Sequence, residues 1–292
     1  MATVVVTGAS GMIGRALVRA LRTRGDVVRT IGRAPGDDAK WSDDDATLDR
    51  VLADATAVVH LAGAPIAVRW TSEVKRTLRE SRVQTTARLA ARLAAHATPG
   101  VLLSASAIGI YGDRRDAWLD ETSAPGDGFL VELAQAWEDA AEPAAQDGWT
   151  VTTLRTGIVL GTAGGALAKL LPVFRLGAGG PLGDGRHWMS WIGATDTTRA
   201  LLHLLDHPVT GPVNLVAPTP VTNAEFTTTL GRALHRPALI PVPRFALAMV
   251  YGEMADATLF ASQRVRPRVL AASGFTWAAP TLAEALTQEL RA

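Results

Sequence analysis

Three glycines near the start of the chain have the spacing of a phosphate-binding turn. Gly8, Gly11 and Gly14 form a GxxGxxG pattern that follows the apolar run VVVT and opens a helical stretch. Glycine permits the tight turn and lets the backbone approach a pyrophosphate, and the free N–H groups of a helix N-terminus attract negative charge. The alternative is a tight turn without a ligand. We expect a dinucleotide site, with contacts from Gly8, Ser10, Gly11, Met12, Ile13 and Gly14.

The end of the second apolar run indicates which dinucleotide binds. The chain reads Ile31-Gly32-Arg33 there, and no acid follows before Asp37. Proteins that bind NAD usually place an acid here for the ribose 2′-hydroxyl, whereas a guanidinium forms paired, charge-assisted hydrogen bonds with a 2′-phosphate. We therefore expect NADP(H) as the cofactor. The alternative for Arg33 is a solvated surface side chain.

The third apolar run ends in small residues that suit a cofactor crevice. His60 is followed by Leu61, Ala62, Gly63 and Ala64, which would let the backbone meet a ligand at the carboxyl end of a parallel strand. A histidine is a candidate general base, but inside such a strand it is more often packed. We expect the packed role for His60.

Short β-branched runs alternate with longer helical stretches, and this alternation predicts the elements that hold the site. The pattern is typical of a parallel sheet covered by helices on both faces. We predict an α/β fold with a Rossmann-type doubly wound parallel sheet and a smaller C-terminal lobe on the substrate side. The predicted strands are 3–7, 27–31, 57–61, 101–104, 151–155 and 213–216, and the predicted helices are 13–24, 73–95 and 131–146. The predicted domains are 1–156 plus 185–217 for NADP binding and 157–184 plus 218–292 for the substrate side.

The composition of the 292-residue chain excludes several classes of protein. Cysteine is absent, which rules out disulfides and thiolate zinc sites, and the six histidines are scattered without metal spacing. A net charge of +1 gives no general attraction to nucleic acid, and no apolar run reaches the length of a membrane span. We expect a cytoplasmic protein that acts on a small-molecule substrate, with no metal, nucleic-acid or membrane partner. The sequence leaves a homodimer open.

The chain resembles an atypical branch of the short-chain dehydrogenase/reductase superfamily, within the NAD(P)-dependent epimerases and dehydratases. The motifs that carry the resemblance span almost the whole chain. It implies an NADP-binding fold with a distinctive C-terminal domain, and it assigns no substrate. The motifs are GASGMIG, HLAGAPI, RWTSEVKRTLRESRVQTT, SASAIGIYGD, LRTGIVLG, FRLGAGGPLGDGRHWMSWI, NLVAPTPVTNAEF and VYGEMADATLFASQRVRP.

The resemblance also extends the predicted cofactor site. Arg82 matches an arginine of the branch that reaches the cofactor, and Ile158 matches a backbone contact near the nicotinamide. Without the resemblance, Arg82 would be interpreted as a solvated charge on a helix. The predicted cofactor-binding residues beyond the glycine turn are Gly32, Arg33, Leu61, Ala62, Gly63, Arg82, Ser104 and Ile158.

The usual proton donor of the superfamily is missing from this chain. Its members combine a Ser or Thr with Tyr-x-x-x-Lys, in which the lysine lowers the pKa of the tyrosine that moves the proton. The chain has only Lys40, Lys75 and Lys169, and none of them follows a tyrosine by four residues. The helix expected to carry the pair offers Phe129 and Leu133 instead.

Two hydroxyl groups in SASAIGIYGD remain as candidates for the chemistry. Ser106 matches the position of the superfamily's catalytic hydroxyl, and Tyr111 follows it closely. We predict both as catalytic residues. The alternatives are that Ser106 satisfies backbone groups at a strand end and that Tyr111 has a packing or hydrogen-bonding role.

The predicted substrate-side residues come from two segments. Pro65 and Trp70 follow the third strand and would form an apolar wall, while Arg186 and Trp188 follow a glycine-rich loop and would add a cation and an aromatic wall. The alternative for Trp188 is a core position. We predict an NADP(H)-dependent oxidoreductase or epimerase-like enzyme for a small carbonyl or imine-like substrate. A non-catalytic NADP(H)-binding sensor or scaffold is the alternative, because Tyr-x-x-x-Lys is missing.

Overall fold

The computed structural model describes residues 1–95 and 98–291. Its centre is a seven-stranded parallel sheet, whose inner strands are apolar runs such as VVVT that are buried on both faces. In chain order, the strands are β1 Thr3–Thr7, β2 Val27–Gly32, β3 Ala39–Lys40, β4 Ala57–His60, β5 Val101–Ala107, β6 Trp118–Leu119, β7 Thr150–Thr156, β8 Ile158–Gly161, β9 Trp188–Met189, β10 Trp191–Gly193, β11 Gly211–Leu215, β12 Val221–Thr222 and β13 Arg264–Val265.

The order of the central sheet is β11-β7-β5-β4-β1-β2-β3, and it contains one reversal. The chain moves outwards from β1 to β3, returns to β4 on the other side of β1, and then moves outwards to β11. The carboxyl ends of β1 and β4 therefore face the crevice where doubly wound sheets bind ligands. The predicted fold class is confirmed, and each of the six predicted strands is present. The two-residue edge strand β3 was not predicted, because it is too short to show a pattern.

The predicted helices form, but two of them are interrupted. In chain order, the α-helices are α1 Met12–Arg24, α2 Asp45–Leu52, α3 Ser72–Arg79, α4 Thr85–Ala94, α5 Phe129–Asp139, α6 Glu142–Gln146, α7 Gly165–Arg175, α8 Ala194–Asp206, α9 Asn223–Ala233, α10 Arg244–Tyr251, α11 Arg268–Ala272 and α12 Leu282–Arg291. A π-helical turn, Glu80–Gln84, separates α3 from α4 within the stretch predicted as one helix over 73–95. The helix predicted over 131–146 is divided into α5 and α6, and Pro143 stands at the start of α6, where a helix tolerates a residue without an N–H.

Apolar side chains fill both faces of the sheet and hold its strand ends in place. Leu17 of α1 and Leu201 of α8 belong to the core on one face, and Leu48 of α2 and Leu89 of α4 belong to the core on the other. Each of these four side chains is at most 1% exposed. Full burial of a leucine contributes about 1.5–3 kcal/mol relative to exposure. The crevice thus lies on a rigid base.

The residues after β7 build a third core beside the sheet. Leu167 of α7, Trp191 of β10, Phe226 of α9 and Leu286 of α12 are buried together. Two short strand pairs lie within this part, β8 with β10 and β9 with β12, and a third pair, β13 with β6, connects it to the residues before β7. The predicted domain boundaries stay a prediction.

No helix within residues 1–95 and 98–291 combines the length and the apolar character that a membrane crossing requires. The cytoplasmic location and the homodimer that the sequence leaves open stay predictions.

Candidate functional site

The glycine turn stands at the point where the strand order reverses. Gly8 has a left-handed φ of +68°, and a Cβ on it would lie 2.8 Å from the carbonyl carbon of Leu61. A Cβ on Gly14 would lie 2.3 Å from the Gly8 oxygen, so neither position accepts a larger residue. Gly11 precedes α1 without a side-chain cap, and the first turn of α1 carries no acid. The N–H groups of this helix end are available to an anion, which fits the pyrophosphate of a dinucleotide.

A loop from the second half of the chain covers this turn. A Cβ on Gly161 would lie 2.7 Å from the sulfur of Met12, and one on Gly164 would lie 3.4 Å from the Met12 Cβ. Arg15 donates to the carbonyl of Ala163 at 3.4 Å. Sequence reasoning did not identify this contact, although the glycines of GTAGG were a signal, because they leave room for Met12 against the loop.

The end of β2 presents an unpaired cation. Arg33 is exposed, and its guanidinium has no hydrogen-bond or ion-pair partner among the residues that the structure describes. Asp37 closes its own turn, since its Oδ2 accepts the Ala34 N–H at 2.7 Å and would lie 2.3 Å from a Cβ on Gly32. A free guanidinium fits a phosphate group. A groove of about 740 Å³ runs between the glycine turn and the residues that follow Arg33 in the chain, and it is lined by Ala9, Ser10, Arg15, Val18, Arg19, Arg22, Thr23, Thr30, Ala34, Gly36 and Asp37.

His60 has the packed role. Its Nδ1 lies 2.7 Å from Thr7 Oγ1, and its Nε2 lies 2.8 Å from Thr86 Oγ1. The ring is fully buried, and burial lowers the pKa of His60 to about 4. Thr7 Oγ1 also accepts the N–H groups of Leu61 and Ala62 at 3.2 and 3.3 Å. The network fixes the end of β4 at the crevice and leaves His60 neutral at neutral pH.

Arg82 is buried beneath the same strand end. Its Nη2 donates to the carbonyl of Ala64 at 2.9 Å, its Nη1 donates to Leu78 at 3.3 Å, and its Cζ lies 5.0 Å from the ring centre of Trp137. No carboxylate within the described residues pairs with it, and burial lowers its pKa to about 10. The interpretation of Arg82 as a solvated helix charge is therefore wrong. A Cβ on Gly63 would lie 3.2 Å from the guanidinium carbon, so the cation lies against the predicted cofactor strand end.

Ser106 belongs to a buried ionic network. Its Oγ donates to Glu138 Oε1 at 2.6 Å, and Arg155 binds the same carboxylate through Nε and Nη2, both at 2.9 Å. Burial alone would lower the pKa of Arg155, but the hydrogen bonds and charge of Glu138 raise it above its usual value. Ser106 is only 4% exposed. It occupies a strand position that points away from solvent, whereas its neighbours Ala105 and Ala107 are half-buried.

Tyr111 continues this network on the other side of Arg155. Its hydroxyl donates to Asn214 Oδ1 at 2.7 Å and accepts from Arg155 Nη1 at 3.2 Å. The side chain is fully buried, and burial raises the pKa of the phenol. The structure thus gives Ser106 and Tyr111 protein partners in place of an open pocket, and their catalytic roles stay a prediction.

Glu138, Arg155 and Asn214 were missed by sequence reasoning. One signal was present: Arg155 interrupts the otherwise uncharged strand TVTTLRT. A charge in a buried strand needs a partner, because an unpaired buried charge is costly. The identity of that partner, Glu138 on α5, could not be read from the sequence, since no local spacing relates the two.

The helix positions expected to hold Tyr-x-x-x-Lys lie in an apolar cluster. Phe129 packs edge-to-face with Trp70 at 5.2 Å between ring centres, and Leu133 is 2% exposed. Lys75 Nζ lies 4.8 Å from the centre of the Phe129 ring and pairs with Glu253 at 2.6 Å. A cation, Lys75, therefore lies beside the position where the superfamily has its tyrosine. It belongs to α3, and it is already paired with the carboxylate of Glu253.

Two other residues predicted to contact the cofactor, Ser104 and Ile158, have polar groups that are buried or already hydrogen-bonded within the protein. Ser104 is fully buried, and its hydroxyl has no partner among the described residues. The N–H of Ile158 donates to the carbonyl of Ser190 at 2.9 Å, so that N–H is committed within the protein. These contacts, like those of Arg82 and the glycine turn, stay predictions.

The predicted substrate-side residues differ in how far they are exposed to solvent. Pro65 and Arg186 are exposed. Trp70 is 8% exposed, and its Nε1 donates to the carbonyl of Ile66 at 3.0 Å, so it belongs mainly to the apolar cluster. Trp188 is half-buried and donates to Asp116 at 2.9 Å, which makes it part of a wall and not of the core. Their contact with a substrate stays a prediction. In the described part of the chain, no group of His and acidic residues could hold a metal ion.

A glycine turn at the switch point of a parallel sheet defines a Rossmann-type dinucleotide-binding fold. Residues 4–216 match the model of the NAD dependent epimerase/dehydratase family, and residues 242–289 match a domain of unknown function, DUF1731. The chain belongs to the NAD dependent epimerase/dehydratase family.

Named relatives match the chain along almost its whole length. Epimerase family protein Mb2239 of Mycobacterium bovis is 43% identical over 291 residues, which are 98% of this chain and 96% of that protein. The crystal structure of human epimerase family protein SDR39U1 (isoform 2) with NADPH has a TM-score of 0.91 at 34% identity and covers 99% of both chains. The crystal structure of the nucleoside-diphosphate sugar epimerase from Corynebacterium glutamicum has a TM-score of 0.81 at 35% identity, over 99% of this chain and 58% of that one. The resemblance stated from the motifs is confirmed.

Proposed function

We propose that the protein is an NADP(H)-dependent oxidoreductase or epimerase-like enzyme that acts on a small carbonyl or imine-like substrate. The observation that carries the proposal is the uncapped N-terminus of α1, which follows the glycine turn at the crevice between β1 and β4. The NADPH in the human relative's crystal structure supports the same cofactor here. When bound, NADPH supplies a hydride for an electrophilic carbon.

The proposed phosphate contacts explain a preference for NADPH over NADH. Arg33 has no partner to give up among the residues that the structure describes, so it would bind a 2′-phosphate at little cost. Asp37 is held by the Ala34 N–H, and it does not neutralise Arg33. The buried charge of Arg82 would add a cation beneath the strand end at Gly63.

The protein's own groups constrain where the proton comes from. Phe129 and Leu133 cannot donate one, since both side chains are apolar and belong to an apolar cluster. Ser106 and Tyr111 are the groups proposed to polarise or protonate the substrate oxygen or nitrogen. Each must first exchange a protein partner, Glu138 or Asn214, for the substrate. A substrate that brings its own proton, such as a protonated imine, makes the smallest demand on these residues.

A non-catalytic NADP(H)-binding sensor or scaffold is the second candidate. The specific observation in its favour is that apolar side chains fill the positions of the superfamily's tyrosine and lysine, while its candidate hydroxyls are held in a buried network. Such a protein would keep the cofactor site and lose turnover.

Titration of the purified protein with NADPH and NADH, followed by nucleotide fluorescence, tests the cofactor step. We expect saturation by NADPH and weaker binding of NADH. Absence of saturation by NADPH would refute the proposed function at its first step.

A screen of NADPH oxidation with aldehydes, ketones and cyclic imines then separates the two candidates. The enzyme hypothesis is supported if the wild type oxidises NADPH with one of these acceptors and the Ser106→Ala/Tyr111→Phe double variant does not, while both bind NADPH with the same affinity. Saturable NADPH binding without oxidation by any acceptor supports the sensor or scaffold.

A further inference from the structure

Arg264 is held between two indole rings. Its guanidinium carbon lies 4.0 Å from the ring centre of Trp118 on one side and 3.9 Å from that of Trp188 on the other. The pairing of β13 with β6 places Arg264 directly opposite Trp118. Both faces of the guanidinium are covered, so only its edge, which carries the N–H groups, is left for a partner.

That edge has no partner in the described part of the chain. Among residues 1–95 and 98–291, no carboxylate forms an ion pair with Arg264, and its Nε is buried without a hydrogen-bond acceptor. Asp116, an acid of the same wall, accepts the indole N–H of Trp188 at 2.9 Å. Burying a charged donor is unfavourable unless it is paired. A stacked guanidinium with a free edge is the arrangement that binds a carboxylate or a phosphate through two parallel hydrogen bonds.

The segment that carries Arg264 is fixed to the end of β5. Gln263 Nε2 donates to the carbonyls of Ile108 and Gly112, both at 3.1 Å. The Oγ of Ser262 donates to the backbone carbonyl of Arg115 at 2.7 Å and accepts the backbone N–H of Trp188 at 3.0 Å. These bonds tie the DUF1731 segment to the turn that follows β5, at the carboxyl edge of the sheet. Arg264 is thereby held on the same edge of the sheet as the crevice and in contact with Trp188, one of the residues predicted for the substrate.

We propose that Arg264 is an anion-binding residue and that the substrate carries a carboxylate or phosphate group, which the guanidinium binds edge-on between Trp118 and Trp188. This assignment rests on the proposed function for the identity of the ligand as substrate. It gives DUF1731 a role in substrate recognition, because this domain supplies the cation. It also explains why this arginine has no acidic partner within the described residues, although the sequence has 28 acidic residues.

The proposed anion site is tested with three probes: benzoate, phenyl phosphate and the neutral benzyl alcohol. Each is titrated into the NADPH-loaded full chain, with tryptophan fluorescence and calorimetry as readouts. We expect the anions to bind and the alcohol to bind at least about tenfold more weakly, since one charge-assisted contact is worth that factor or more. The tighter of the two anions distinguishes a carboxylate from a phosphate.

Arg264→Met should weaken anion binding about tenfold or more, and Arg264→Lys should weaken it less, because lysine keeps the charge but not the paired edge. Arg268→Met, at an exposed arginine four residues later, is the matched control and should leave it unchanged. NADPH affinity, measured in every variant, should stay at the wild-type value, which separates a failure of this assignment from a failure of the cofactor site. If Arg264→Met does not fold, Arg264→Lys decides the question.

Equal affinity of wild type and Arg264→Lys or Arg264→Met for both anions would overturn the assignment. Equal binding of benzyl alcohol and benzoate, or no binding of either anion by wild type, would do so as well.

Discussion

Replacement of Tyr111 by phenylalanine separates a structural role of this residue from a catalytic one. The hydroxyl joins Asn214, at 2.7 Å, to Arg155, at 3.2 Å, and the ring is fully buried. Because burial raises the pKa of Tyr111, the phenol stays protonated at neutral pH and can donate to Asn214. Phenylalanine fills the same ring volume, so the variant removes the two hydrogen bonds without creating a large cavity.

The loss of stability expected for Tyr111→Phe depends on which polar groups lose their hydrogen-bond partner. Arg155 keeps its two bonds to Glu138, but Asn214 Oδ1 loses its donor in a buried place. An unsatisfied buried polar group costs about 1–3 kcal/mol. At about 2–4 °C per kcal/mol for domains of somewhat smaller size, we expect the melting temperature to fall by roughly 2–12 °C.

Thermal and urea unfolding of Tyr111→Phe measure this loss, and NADPH titration shows whether the cofactor site is intact. Tyr251→Phe is the matched control: Tyr251 is half-buried, its hydroxyl makes no hydrogen bond with the described residues, and its loss should change stability by less than about 0.5 kcal/mol. The structural interpretation is refuted if Tyr111→Phe keeps wild-type stability and NADPH affinity but loses NADPH-dependent turnover. That result would make Tyr111 the proton donor.

Three further predictions concern charges in and around the site. Glu138→Gln leaves Arg155 as a buried cation without its carboxylate, and we expect a loss of about 3–5 kcal/mol in the free energy of unfolding. Arg33→Ala should weaken NADPH binding about 10- to 100-fold and leave NADH binding unchanged, since only NADPH carries the 2′-phosphate. The pKa of His60 in the folded protein is about 4, below its ordinary value of 6.5. The contribution of the neutral ring to the free energy of unfolding is therefore fully present above pH 6.5 and is lost as the pH falls to about 4. The difference corresponds to about 3 kcal/mol, and His60→Asn should remove this part of the pH dependence of urea unfolding.

Each of these predictions has a control and a contrary outcome. For Glu138→Gln, an exposed acid such as Glu132 gives the matched Glu→Gln change, and equal stability of both variants would contradict the buried ion pair. For Arg33, the exposed Arg79 is the control; parallel losses for NADPH and NADH would show that Arg33 does not bind the 2′-phosphate. For His60, an unchanged slope of stability between pH 6.5 and 4 would assign the acid sensitivity to other groups.

The cofactor end of the molecule could be predicted from the sequence because its signals are local. The spacing of Gly8, Gly11 and Gly14 specifies a turn and a helix start within seven residues, and the apolar runs specify the buried strands directly. The signal for the 2′-phosphate is local as well, because Arg33 directly follows the apolar run that forms β2. The absence of Tyr-x-x-x-Lys was also a plain property of the sequence.

The placement of the candidate catalytic groups was decided by tertiary structure alone. Ser106 meets Glu138 across 32 residues, Tyr111 meets Arg155 across 44, and Tyr111 meets Asn214 across 103. A strand's alternation says which residues share a face, but not which charge on a distant helix or strand will meet them. Arg82 illustrates the same limit, because it lies in a π-helical turn and is buried there, and neither the turn nor the burial was predicted from the helical pattern. The sequence by itself determined a dinucleotide turn and its sheet, whereas the packing of remote segments decided which hydroxyls are bound, which cations are buried, and that Arg264 stands between two tryptophans with its edge free.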